Sequence, residues 1–168
     1  MIDTPLPQPD AFHAQAAVGW LELGSAPDAR RELAVVSLAH REHPDVLDVW
    51  WKIFADEDNW EAALAAAEKV VAQAPDRESG WIEQSYALHE LGRTAEAHER
   101  LLPAVEKFRT AYVIPYNLAC YQCCLGQKAE ALRWLRRAVK VADAKTIRLM
   151  AMSDPDLAPL RDDISRLA

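Results

Sequence analysis

Leu91-Gly92-Arg93-Thr94-Ala95-Glu96-Ala97 and Leu125-Gly126-Gln127-Lys128-Ala129-Glu130-Ala131 are two copies of one turn, 34 residues apart. In each, glycine supplies the left-handed backbone that ends one helix. The alanine five residues later leaves room for a second helix to cross closely. Working outward, the same spacing recurs twice towards the N-terminus. Gly24, Asp58, Gly92 and Gly126 stand at equal intervals, each followed after five residues by Ala29, Ala63, Ala97 or Ala131. Nine positions on come Leu33, Ala67, Leu101 and Leu135, and twelve positions on Val36, Val70, Ala104 and Ala138. Self-similarity at a fixed interval of this length marks a stack of repeats, each a helix, a short turn and a second helix.

Composition agrees with a helical stack. The chain has 168 residues, 51% of them hydrophobic and only 5 of them glycine. Ala, Leu, Glu and Arg favour helix, and the residues that build sheets are scarce. Six tryptophans imply a packed core. Lys and Arg number 19 against 26 Asp and Glu, a net charge of -7. That balance carries no general footprint for nucleic acid or an anionic membrane, so neither is an expected partner. No apolar run approaches the roughly 20 residues of a membrane span. The N-terminus lacks the pattern of a signal peptide, and three crowded cysteines make no disulfide framework. A cytoplasmic location is expected.

The period and these residues resemble the tetratricopeptide repeat (TPR) family over residues 11–143. Trp81, Leu47 and His13 stand where that family opens its first helix with a large side chain. Ala17, Ser85 and Ala119 take its small crossing position, and Pro75 its closing proline. The resemblance implies an all-α, right-handed TPR superhelix (an α-solenoid) of four helix-turn-helix repeats with a C-terminal helical cap. The boundaries expected are a flexible N-terminal tail at 1–9, repeats at 10–43, 44–77, 78–111 and 112–143, and capping helices at 144–168. In the cap, Ile147, Leu149, Met150 and Met152 are available for packing, followed by a last helix carrying Leu157, Leu160, Ile164 and Leu167. The segment Asp154-Pro155-Asp156-Leu157-Ala158-Pro159-Leu160-Arg161 resembles the closing tail of some bacterial TPR proteins. Two departures stand out. Trp51 fills a crossing position the family keeps small, and is expected to be buried against Ala63 or Ala67. Pro103 falls inside a second helix and is expected to kink it.

Signatures of catalysis are missing. There is no phosphate-binding loop, nucleophile elbow or zinc-protease pattern, so no enzymatic activity and no cofactor is expected. His40 and His43 are expected on one solvated helix face. Arg133, Arg136, Arg137 and Lys140 are expected on another. Cys120, Cys123 and Cys124 lie about one turn apart and read first as small apolar filler. A redox role for reactive thiols is the sharper alternative, and spacing offers no fourth ligand for a metal.

The resemblance further implies a concave groove lined by the first helices. Its positions correspond to Ala14, Val18, Leu21 and Glu22 in the first repeat and to Asp45, Asp48, Lys52 and Asp56 in the second. The third supplies Ile82, Tyr86, His89 and Glu90, and the fourth Tyr116, Asn117, Cys120 and Cys123. TPR domains that clamp the carboxylate tails of heat-shock chaperones carry Lys and Asn where this chain has Ala14 and Val18, which argues against that specificity. An acidic, aromatic groove favours a protein or peptide segment with basic residues. The expected function is a non-catalytic scaffold or adaptor. The alternatives are a thiol-based redox regulator and a self-associating homo-oligomeric unit.

Overall fold

The computed structural model describes residues 5–167; residues 1–4 and 168, with that part of the expected N-terminal tail, lie outside the described residues. Every element among them is helical. In chain order they are α1 (Asp10–Glu22), α2 (Ala26–Val35), α3 (Pro44–Asp56), α4 (Trp60–Gln73), α5 (Glu78–Glu90), α6 (Thr94–Leu101), α7 (Ala104–Lys107), α8 (Val113–Cys124), α9 (Lys128–Val141), α10 (Ala144–Ser153) and α11 (Arg161–Ile164). Single 3-10 turns occupy Leu38–His40 and Ala158–Leu160. The chain forms two compact units, one ending at Ala87 and the other beginning at Leu88, within α5.

The four turn positions found by periodicity share one backbone solution. Gly24, Asp58, Gly92 and Gly126 have φ of 75°, 54°, 74° and 77°. At each turn the next amide reaches back five residues. Ser25 donates to the Trp20 carbonyl at 2.8 Å, Asn59 to Phe54 at 2.8 Å, Arg93 to Leu88 at 2.9 Å and Gln127 to Gln122 at 2.8 Å. The turn residue's own amide bonds three back, as Gly92 to His89 at 2.8 Å. These paired bonds satisfy carbonyls that a helix end leaves orphaned. Asp58 holds a left-handed conformation that costs a residue with a β-carbon about 1–2 kcal/mol. Asp58→Gly is therefore expected to raise stability by about 0.5–1 kcal/mol in denaturant melts. A lowered midpoint would mean that the Asp58 side chain contributes more than its strain.

Close crossings follow the turns. Ala29, Ala63, Ala97 and Ala131 are completely buried, as are Ala17, Ser85 and Ala119. Trp51 departs from the expected burial. Its indole packs on the cluster of Leu47, Ala66 and Val70 and is half-buried, where full burial was expected. The alanines of α4 leave room for the ring without closing over it. Its indole N–H is buried without a hydrogen-bond partner.

In the first unit, Leu6 joins a core with Ala14, Ala17, Leu33, Val46 and Ile53, so the chain before α1 is anchored from that residue. Buried Asp10 accepts from the Ser37 amide at 3.0 Å and hydroxyl at 2.6 Å, and meets His40 Nδ1 at 2.6 Å. The Ser37 hydroxyl, then His40, holds that carboxyl down to about 2. The two histidines expected on one solvated helix face have separate jobs. His40 pairs with Asp10 from a 3-10 turn, while His43 caps α3 by accepting from the Asp45 amide at 3.2 Å.

In the second unit Pro103 breaks its helix. The proline has no amide to donate and crowds the Glu99 carbonyl, so α6 stops at Leu101 and α7 restarts at Ala104. Arg133, Arg136 and Lys140 are exposed, and Arg137 donates to Glu106 at 2.7 Å. At the C-terminus Ile147 and Ala151 of α10 are buried, whereas Leu149 and Met152 face solvent. The expected last helix is a 3-10 turn plus the short α11, and Leu157, Leu160, Ile164 and Leu167 are all buried.

Candidate functional site

In the first unit the groove positions of α3 and α5 form a polar network beside an aromatic ledge. Arg77, from the turn before α5, donates to Asp45 Oδ1 at 2.5 Å and to Asp48 Oδ2 at 3.1 Å. The Ser79 hydroxyl donates to Asp48 at 3.4 Å. Two of the acidic residues expected to attract a basic partner are thus already paired. Burial nonetheless raises the Asp48 carboxyl, against the pull of Arg77. Glu83 is the residue the sequence reading passed over. It is 8% exposed, and its Oε2 has no hydrogen-bond partner. Burial, then the negative charge of Asp48, pushes its carboxyl up to about 8. The one signal for it in the sequence was a charge one position beyond Ile82, on the inward side of α5.

Lys52 and Asp56 are exposed on α3, and Ile82 is half-buried on α5. Tyr86 is 40% exposed. Its ring stands edge-on to Trp51 at 6.2 Å and tilted to Trp60 at 5.7 Å, so two indoles brace it from behind. Two clefts open in this unit. One, of about 320 Å³, is lined by Leu6, Ala14, Val18, Asp45 and Val49. The other, of about 470 Å³, lies among Leu47, Trp50, Phe54, Ala62, Ala66 and Lys69. Arg30 covers its stacked Trp50 and Phe54 at 5.4 and 5.5 Å. Sequence reasoning gave that second cleft no role.

In the second unit the chain's own C-terminal segment covers the expected groove residues. The Tyr116 hydroxyl donates to Asp154 Oδ2 at 2.8 Å, and Cys120 Sγ to the same oxygen at 3.5 Å. Both residues are buried. His89 Nε2 lies 3.0 Å from Asp156 Oδ2, and its Nδ1 lies 3.0 Å from the Thr94 hydroxyl. Asn117 is half-buried, and Glu90 is exposed.

A thermophilic TPR protein of Thermus thermophilus is similar with a TM-score of 0.76 and 18% identity, covering 94% of this chain and 84% of that one. A MamA RS-1 double mutant is similar at 0.71 and 15% identity, covering 97% and 96%. MamA from AMB-1 follows at 0.65 and 16%, covering 95% and 98%. The chain has the tetratricopeptide-repeat fold. No protein-family model matches the sequence, and no curated protein matches it.

The α3 and α5 positions of the first unit keep Lys52, Asp56 and Tyr86 accessible, whereas Tyr116 and Cys120 of α8 are covered. The surroundings of the thiols do not favour the redox alternative. Burial, then Asp154, raises Cys120; burial, then Asp156, pushes exposed Cys124 up to about 12; and burial raises Cys123. A reactive thiol needs the opposite shift. No helix among the described residues is long and apolar enough to cross a membrane.

Proposed function

We propose that this TPR protein is a non-catalytic scaffold that binds a segment of another protein across α3 and α5 of its first unit. The observation that supports it is Tyr86, an exposed ring braced by Trp51 and Trp60. Such a side chain gives broad contact at small entropic cost and carries a hydroxyl for orientation, which is the profile of an interface hot spot. Asp56, exposed and without a partner among the described residues, is placed to meet a Lys or Arg of that segment. Because Arg77 already holds Asp45 and Asp48, the preference for basic residues rests on fewer charges than the sequence count suggested. A short linear segment on so small a face is expected to bind at about micromolar strength, roughly -8 kcal/mol. The free thiols suit a reducing cytoplasmic compartment.

Affinity capture with wild type and with Tyr86→Ala or Asp56→Lys bait tests this reading. Tyr86→Ala is expected to weaken a captured partner about tenfold or more while leaving the melt nearly unchanged. Partners held equally by all three baits would move binding off this face. Self-association is the second reading, favoured by the exposed Phe12 and Leu38 of the first unit. Light scattering that reports a monomer would remove it.

A further inference from the structure

Two triads of metal-ligating side chains converge in the second unit at the turn after α10. His89, Cys124 and Asp156 form one, and Cys120, Asp154 and Asp156 the other. Within each, the donor atoms lie within 4.8 Å of one another. The triads share Asp156, and Cys120 and Cys124 are one turn apart on α8. Donors from three separate segments of the chain therefore meet at one place. No lysine or arginine pairs with either carboxylate among the described residues. Asp156 meets His89, while Asp154 accepts from the Tyr116 hydroxyl, from Cys120 and from the Asp156 amide at 3.0 Å.

We propose that this cluster binds one divalent ion of the zinc type through His89 Nε2, Cys120 Sγ, Cys124 Sγ and the Asp156 carboxylate. One nitrogen, two sulfurs and one oxygen are the donor types and the number that tetrahedral zinc takes, and the sulfurs disfavour calcium and magnesium. Bond lengths of about 2.0–2.3 Å place ligand atoms of such a site roughly 3.5 Å apart, a small contraction within either triad, and joining the two triads on one ion needs side-chain rotation about their shared Asp156. The outer shell is already in place. The Thr94 hydroxyl engages His89 Nδ1, which leaves Nε2 for the ion, and the Tyr116 hydroxyl fixes Asp154 behind it. Cys124 is exposed and gives the ion its way in. On binding, each thiol releases one proton to solvent and forms a metal–sulfur bond, with no electron transferred. The ion would pin the Asp154–Asp156 turn onto α8.

The test uses the full chain, reduced and stripped of metal, titrated with Zn²⁺ in competition with a chromophoric chelator and with Co²⁺ as a spectroscopic probe. The expected result is one ion per chain, a tetrahedral thiolate–cobalt spectrum and a raised unfolding temperature. Cys124→Ser and Asp156→Asn, both at positions that tolerate polar replacement, should each weaken uptake at least tenfold with an unchanged circular dichroism spectrum. Cys123→Ala should leave uptake intact, because Cys123 belongs to neither triad. Absence of stoichiometric uptake by the wild type would overturn the proposal. So would uptake that persists unchanged in the Cys124→Ser/Asp156→Asn double variant.

Discussion

Glu83→Gln is expected to stabilise the protein at pH 8–9 and to change it little near pH 5. In the folded chain the Glu83 carboxyl sits at about 8, against 4.5 for an ordinary glutamate, because it is buried and faces the charge of Asp48. Below the ordinary value both folded and unfolded chains carry the proton. As pH rises from there towards 8, the unfolded chain gives its proton up while the folded chain keeps it. Folding stability therefore falls across that window, by about 1.4 kcal/mol per pH unit at the steepest, and levels off above it. The whole span amounts to a few kcal/mol, on the order of 3–5. Glutamine has the same shape and no proton to lose, so its stability should not follow that slope. Denaturant melts of both proteins from pH 5 to 9 check this. Parallel curves would mean that Glu83 is solvated and that the buried carboxyl described here does not exist.

Arg77→Ala is expected to be the most damaging single change on the same face. The guanidinium holds Asp45 and Asp48 at 2.5 and 3.1 Å and also steadies the charge near Glu83. Its loss leaves two partly buried carboxylates unpaired. Breaking a fully buried pair from one side costs about 3–5 kcal/mol. Partial exposure of the three side chains reduces the expectation to about 2–4 kcal/mol at pH 7. The loss should shrink at acid pH, where the carboxylates take up protons. Adding Asp48→Asn to Arg77→Ala should recover part of the stability, since it removes the charge that was left alone. A loss below about 1 kcal/mol, with no recovery in the double variant, would place these pairs with ordinary surface ion pairs.

The fold was legible because its signals are local and repeated. The turn at Gly24, Asp58, Gly92 and Gly126 needs only a left-handed residue and a small one five positions later, and both can be read from spacing. Asp58 shows the strength of the pattern, since it adopts the turn without glycine. The site was legible only in part. Arg77 could not be matched to Asp45 and Asp48 across some 30 residues by spacing, so the acidic face looked freer than it is. His89 and the two aspartates of the C-terminal turn lie 30 or more residues from Cys120 and Cys124 in sequence, or belong to another helix. Periodicity within one repeat carries no trace of that meeting. Glu83 was hidden for a different reason. A charge on a helix reads as solvated until the packing around it is known, and here the packing buries it. Trp51 was assigned to the correct helix partner but with more burial than it has, because the space that small residues open does not say how far it closes.

Binding of a protein segment over α3 and α5 of the first unit, with Tyr86 as its anchor, has a direct signature in solution. Amide chemical-shift mapping of the labelled protein during titration with a Lys- and Arg-containing aromatic peptide tests it most directly. Perturbations are expected to gather at Lys52, Asp56, Ile82 and Tyr86 and to be abolished by Tyr86→Ala. Perturbations gathered instead around Trp50 and Phe54, or none at millimolar peptide, would contradict it.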